Sequence, residues 1–255
     1  MVPAVAYNLS IQVHKKLMED VLNNAVIKIV DLGKVYSIGR KQSVIYKDVN
    51  LEAYAGQVTL IMGASGSGKS SLLRQIALLD KVTKGGIAYY GREVARLGVK
   101  AKAKVRAKEL GFIFQSFALI TEFSVLENCC LPLLMNGASK TEANRQALAM
   151  IRKFIPDIDA SNKPDELSGG EQQRVAIIRA LIHKPSIVIA DEPTGNLDDS
   201  NAVFIKEELI RIAKELGSAV IIVSHDNDFV ELADVYYQLQ SSDEQGVKSK
   251  LIRVK

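Results

Sequence analysis

Residues 57–79 read QVTLIMGASGSGKSSLLRQIALL, and the middle of that stretch decides the fold. QVTLIM, at 57–62, is a compact apolar run that ends on a glycine, which reads as a buried strand. SSLLRQIALL, at 70–79, spaces its apolar residues as a helix does. Between them GASGSGKS, at 63–70, fits G-x-x-x-x-G-K-[ST] at every fixed position. The glycines let such a loop curl until successive backbone N–H groups point at one anion. The N-terminus of the following helix adds positive partial charge. Lys69 would reach the β- and γ-phosphates of a nucleotide, while the Ser70 hydroxyl would bind Mg²⁺. The strand before and the helix after distinguish this loop from a glycine-rich turn that holds nothing.

A phosphate loop of this kind needs a carboxylate on a neighbouring strand. SIVIADEP, at 186–193, supplies one: Asp191 and Glu192 stand where an apolar strand ends, the edge at which open α/β sheets bind ligands. Asp191 suits the Mg²⁺ shell, and Glu192 could polarise an attacking water. Two adjacent acids at a strand end are often only a solvated turn, and it is the loop at 63–70 that gives this pair a task. His225, in IIVSHD, follows another buried strand, where a lone histidine is usually structural but a γ-phosphate contact is open to it. Gln115 closes the strand-like GFIFQ, from which it could reach the metal or the water.

Around these motifs, short β-branched runs alternate with amphipathic stretches, which predicts an α/β fold with a largely parallel sheet. SIVIA and SAVIIV, at 186–190 and 218–223, are nearly continuous in apolar residues, as strands covered on both faces are. Residues 116–183 differ. Ser124-x-x-Glu127, Ser139-x-x-Glu142 and Ser168-x-x-Glu171 are three possible capping boxes with no clear strand between them, so a helical insertion of about seventy residues is expected. Residues 1–25 form a separate leader, with a short helix expected around 11–22 and no chemistry to assign.

Composition narrows the class. The chain has 255 residues, 47% hydrophobic and 24% charged, which fits one or two globular domains with a sizeable core. Its longest apolar runs fall far short of the roughly eighteen residues needed to cross a bilayer. The N-terminus lacks the basic start and cleavage site of a signal peptide. Much of the net charge of +4 sits in RLGVKAKAKVRAK at 96–108, read as a solvated helix face rather than a nucleic-acid site because no aromatic interleaves it. An anionic membrane surface could also attract it. The adjacent Cys129 and Cys130 make neither a disulfide framework nor a metal spacing, which points to a reducing compartment.

LSGGEQQR, at 167–174, is a second glycine-rich helix start. A capping box explains Ser168 and Glu171 but leaves the glycine pair without a purpose. A helix N-terminus with two residues lacking side chains is itself a place where backbone can approach a phosphate.

GASGSGKS, GFIFQ, LSGGEQQR, IVIADEPTGNLD and IIVSHD, in that order, resemble the nucleotide-binding subunits of ATP-binding-cassette (ABC) transporters over about residues 26–240. The resemblance implies a P-loop NTPase (RecA-like) α/β core with an inserted helical subdomain and an antiparallel β portion near the N-terminus. The nucleotide-binding domain would span 26–255, with its core at about 26–115 and 184–255 and the helical subdomain at about 116–183. Tyr36, in DLGKVYSIG, is similar to the aromatic that stacks on adenine. Gly63, Ala64, Ser65, Gly66, Ser67, Gly68, Lys69, Ser70 and Ser71 resemble the phosphate loop, and Gln115 the residue that senses Mg²⁺ and the water. Glu192 is similar to the general base, Asp191 to the acid on the metal side and His225 to the switch histidine. Ser168, Gly169 and Gly170 would meet the γ-phosphate held by a second subunit, and Asp198, in the D-loop Asn196-Leu197-Asp198, lies across the same boundary.

The resemblance carries further expectations. ATP and Mg²⁺ are the cofactors, and the chain works as a homodimer or with a paired ATPase subunit. A transmembrane permease on another chain is the partner, no nucleic acid is expected, and the place of work is peripheral, on the cytoplasmic face of the inner membrane. ADEPTGNLD and GFIFQSFALITEFSVLENCCLPLL resemble the group of lipoprotein-releasing, macrolide-export and cell-division ATPases, with wording closest to the first. Two other classes compete: a soluble ABC ATPase of regulation or DNA repair, and a small-molecule kinase, for which LSGGEQQR has no task. The pair Cys129-Cys130 replaces the usual small aliphatics, and LDKVTKGG lacks a proline common there.

Overall fold

The computed structural model describes residues 25–38, 41–242, 244 and 247–255. The leader helix expected around 11–22 lies outside the described residues. The elements form one sheet in the order β5-β4-β1-β2-β10-β9-β3-β8-β7-β6. Its parallel part is β6 (Leu110–Phe114), β7 (Ile187–Asp191), β8 (Ala219–Val223), β3 (Val58–Gly63) and β9 (Val235–Ser241). The antiparallel part is β5 (Arg92–Glu93), β4 (Lys84–Tyr89), β1 (Ile27–Ile38) and β2 (Lys41–Ala53). β10 (Val247–Arg253) joins the two parts, parallel to β2 and antiparallel to β9.

The apolar runs become strands because both of their faces are buried, each against a different core. Along β7, Val188 and Ala190 enter one apolar cluster while Ile187 and Ile189 enter the other; β8 divides Val220 and Ile222 from Ala219, Ile221 and Val223 in the same way. Side chains alternate across a strand, so two flanking layers are required. One layer is α1 (Lys69–Ile76), through Leu72, Leu73 and Ile76. The other includes α6 (Asp199–Leu216), through Ile205, Leu209, Ile212 and Ala213. Each leucine or isoleucine among them, fully buried, contributes on the order of 1.5–3 kcal/mol.

Between β6 and β7 the described chain is helical and strand-free: α3 (Val125–Met135), α4 (Lys140–Phe154), a 3₁₀ turn at Pro164–Glu166 and α5 (Gly169–Leu181). Ser124 and Ser168 close complete capping boxes with Glu127 and Glu171. Ser139 makes half of one: its hydroxyl accepts from the Glu142 N–H, but the Glu142 carboxylate turns to Arg145 and Gln146 instead. The basic stretch forms α2 (Val99–Glu109), on which Lys100, Lys104 and Lys108 make an exposed stripe four residues apart. The last helix before β9 is the short α7 (Asp228–Leu232).

Two boundaries differ from the sequence expectation by a residue. The strand before the glycine loop is 58–63 rather than 57–62, and the strand in GFIFQ ends at Phe114, leaving Gln115 in the turn beyond it. The reason is register: Phe114 pairs Asp191, the last residue of β7, so Gln115 has no partner left. Cys129 and Cys130 are buried free thiols in α3, and burial pushes the Cys129 thiol well above its usual range.

Candidate active site

The parallel register assembles the site. Phe114 pairs Asp191, Asp191 pairs Val223, and Ile61 pairs Val223, so the C-terminal ends of β6, β7, β8 and β3 lie level. Gln115, Glu192, Ser224-His225 and the glycine loop, each next in the chain after one of these strands, therefore emerge along one edge.

The loop wraps tightly because its glycines leave no alternative. Gly68 caps α1 with φ 104°, and a Cβ there would stand 2.5 Å from Ile45 Cγ2. At Gly63, where β3 ends, a Cβ would meet the Leu239 carbonyl at 2.6 Å. Lys69 is nearly buried and donates its ammonium protons to the carbonyls of Gly63 (2.7 Å) and Ala64 (3.2 Å). Above the loop is a cavity of about 280 Å³ lined by Tyr36, Ile45, Gly66, Gly68, Lys69, Ser70, Ser71 and Lys248. Tyr36 is 45% exposed, its hydroxyl 3.4 Å from Ser71 Oγ and one ring face covered by Lys34 Nζ at 4.7 Å. Lys34 is in turn paired with Asp80.

On the far side of the edge, Glu192 adopts a left-handed backbone, φ 48°, that turns its carboxylate toward the end of β8. One carboxylate oxygen, Oε2, lies within reach of Ser224 Oγ (3.3 Å), the His225 N–H (3.3 Å) and His225 Nδ1 (2.8 Å). The other oxygen has no hydrogen bond to a described residue. Asp191, the last residue of β7, is half-buried, and burial first, then the neighbouring Glu192 charge, raises its carboxyl above the ordinary range; Lys69 opposes this. Its Oδ1 is buried with no partner among the described residues, and so is Ser67 Oγ inside the loop. An orphaned carboxylate oxygen beside the glycine loop has the chemistry to hold a cation. Gln115 is braced from behind: Asn196 Nδ2 donates to its carbonyl at 3.0 Å, and its amide packs where a Cβ on Gly195 would come within 2.9 Å.

The second glycine-rich start sits apart. Among the described residues, the cavity's walls include none of Ser168, Gly169, Gly170 and Asp198. Ser168 and Glu171 satisfy one another at the start of α5. The two glycines meet different surroundings. A Cβ on Gly170 would collide with the Asn201 side chain at 2.5–2.6 Å, whereas one on Gly169 would find nothing nearer than 3.9 Å. Asn201 is held by Asp198, which caps α6 and accepts from Ser200 Oγ, Asn201 N and Asn201 Nδ2 at 2.6–2.9 Å.

Three residues in this arrangement escaped the sequence reading. Ser224 adjoins His225 and was within reach of that motif. Lys34 precedes Tyr36 by two positions on β1, but the register shifts between Lys34 and Val35, so plain alternation does not predict the stacking of Lys34 on the Tyr36 ring. Lys248 had no local signal at all.

A cavity of about 330 Å³ opens on another side of β6, lined by Ala107, Phe112, Leu131, Pro132, Met135 and His183 among others. It is mostly apolar, Met135 at its rim is 71% exposed, and burial lowers the His183 imidazole below its usual range. Among the described residues no helix is long and apolar enough to cross a membrane.

The comparisons with known proteins agree in kind. The family model described as ABC transporter matches residues 46–195. The lipoprotein-releasing system ATP-binding protein LolD of Pseudoalteromonas translucida (strain TAC 125) is 45% identical over 84% of this chain and 90% of its own length. LolD of Buchnera aphidicola subsp. Acyrthosiphon pisum (strain APS) is 37% identical over 87% and 97%. Two solved structures of the cassette MJ0796 superpose with a TM-score of 0.79 over 90% of this chain and 99% of theirs. One, 35% identical, is a dimeric bacterial ABC transporter cassette; the other, 34% identical, is a dimeric post-hydrolysis state bound to ADP and Pi.

Proposed function

Because the chain belongs to the ABC transporter family, we propose that it is the ATPase subunit of a membrane complex of the lipoprotein-releasing kind. It hydrolyses ATP as one half of a dimer and drives a permease carried on another chain. Residues 26–255 form the nucleotide-binding domain, and 116–183 the helical subdomain that carries movement to the permease. The chain thus sits peripherally on the cytoplasmic face of the inner membrane. The observation that carries the reading is the level edge on which the glycine loop, Asp191, Glu192 and His225 converge.

In this site Tyr36 offers its free face to adenine, and the amides of 63–71 close on the phosphates. Lys69 exchanges the Gly63 and Ala64 carbonyls for β- and γ-phosphate oxygens. Ser70, Asp191 and Gln115 are the residues that would hold Mg²⁺, which when bound neutralises charge developing on the phosphate oxygens.

Glu192 orients the attacking water. Its Oε2 is fixed by Ser224 and His225, so Oε1 is the atom placed to accept the water's proton. His225 keeps the carboxylate turned and reaches toward the γ-phosphate. The Ser168–Gly170 start of α5 and the D-loop around Asp198 serve the partner's nucleotide, which is why neither lines the cavity of its own chain.

The apolar groove beside β6 is the seat for the permease. Purification from detergent-solubilised membranes, with partners identified by mass, tests the whole proposal. Recovery of a multispanning membrane protein together with ATPase activity is expected. A chain that copurifies with nucleic acid and no membrane protein would overturn it.

A further inference from the structure

β10 pairs parallel to β2 with Val247 opposite Val44 and Ser249 opposite Tyr46, which sets Lys248 level with Ile45. Neighbouring side chains on a strand point to opposite faces. Ser249 is buried, while Lys248 stands exposed on the Ile45 side, over the glycine loop. Its Nζ lies 3.6 Å from the point a Cβ on Gly66 would occupy, and it lines the same cavity as Tyr36, Lys69, Ser70 and Ser71. Three lysines of the neighbouring strands are paired: Lys47 with Glu244, Lys34 with Asp80 and Lys84 with Asp48. Among the described residues Lys248 forms no ion pair. Lys69 and Lys248 therefore both line one cavity whose described walls hold no carboxylate, an arrangement that favours an anion.

We infer that Lys248 is a second cation of the nucleotide site, carried by the C-terminal hairpin and contacting phosphate oxygens of the bound nucleotide from the side opposite Lys69. The inference rests on the reading of Gly63–Ser71 as the nucleotide loop. A lysine at this rim acts as a flexible point charge, so its contribution follows charge and not shape. Backbone pairing of β10 with β2 and β9 does not involve the side chain, so substitution leaves the strand in place.

Calorimetric titration of MgATP and ADP, with adenosine measured by competition, tests this on Lys248→Arg, Lys248→Gln and Lys248→Glu, each checked for folding by its thermal melt. Lys248→Gln should weaken ATP and ADP about three- to tenfold, the range of one charge-assisted contact at an exposed rim. Lys248→Glu should weaken them further, Lys248→Arg should stay near wild type, and adenosine should bind all four proteins alike. The penalty should shrink in about 1 M salt, where screening is nearly complete over the distances involved. Wild-type ATP affinity in Lys248→Gln, or an equal loss for adenosine, overturns the inference. A wild-type chain that binds no MgATP, or a Lys69→Met variant with undiminished turnover, overturns the nucleotide-loop reading instead.

Discussion

His225 Nδ1 sits 2.8 Å from Glu192 Oε2, on the same oxygen that the Ser224 hydroxyl and the His225 backbone N–H approach. Three groups thus restrain one oxygen and leave the other without a hydrogen bond to a described residue. Glu192→Gln should keep ATP affinity and dimerise with ATP, yet lose turnover by about 10²–10⁴-fold, the usual contribution of a general base. Brisk hydrolysis by this variant in a steady-state phosphate assay would remove Glu192 from the base role. His225→Ala should lower kcat with a smaller change in KM, since it frees the carboxylate to rotate without touching the loop.

The two glycines of LSGG make a separable pair. Gly170→Ala forces its methyl into Asn201 and so disturbs the Asp198 cap of α6; it should lower the melting temperature. Gly169→Ala has room within its own chain and should melt like wild type. If that position faces the partner's nucleotide, Gly169→Ala should still bind ATP as a monomer but fail to form the ATP-bound dimer on gel filtration. A fully active Gly169→Ala dimer would place the phosphate contact elsewhere.

Acid should loosen the helix starts first. Glu127, held by the Ser124 N–H and hydroxyl, and Glu171, held by the Ser168 hydroxyl and N–H, lie below the ordinary 4.5; Asp198, held by Ser200 and Asn201, lies below 3.8. A carboxyl whose pKa is lowered by folding stabilises the fold above its unfolded value and loses that contribution as pH falls through the folded one. Melting temperature should therefore drop below about pH 4.5. Glu127→Gln should remove part of that pH dependence; an unchanged melting profile from pH 6 to pH 3 would show the cap to be energetically silent.

The groove beside β6 predicts a clean uncoupling. Met135→Asp places a charge on an exposed apolar rim that shares no lining residue with the glycine-loop cavity. ATPase activity of the isolated chain should stay at its wild-type value, while the membrane partner is lost on copurification. Retention of the partner by Met135→Asp would move the docking surface off this groove.

Short-range physics explains what the sequence disclosed. The loop, the paired acids and the capping boxes are contiguous, so residue type and spacing within ten positions define them. Ser139 shows the limit: its box is half formed because Glu142 finds Arg145 and Gln146 on its own helix, a competition that spacing alone cannot rank. The antiparallel part rests on β1, whose register against β2 shifts around Leu32 and Lys34; those irregularities spoil the period-two pattern by which a strand is recognised. Lys248 was invisible for a simpler reason. What makes it notable is the pairing of β10 with β2, two hundred positions away, and no local pattern encodes that.

That same pairing constrains how the protein can be made. β2 and β3 are separated by four residues in the chain but by both β10 and β9 in the sheet. As the polypeptide leaves the ribosome, the strands on either side must wait, edges unsatisfied, for residues 235–253 to fill a slot two strands wide. Nascent chains stalled before residue 235 should accordingly be protease-sensitive and prone to self-association, and release of the last hairpin should convert them abruptly to a protected form.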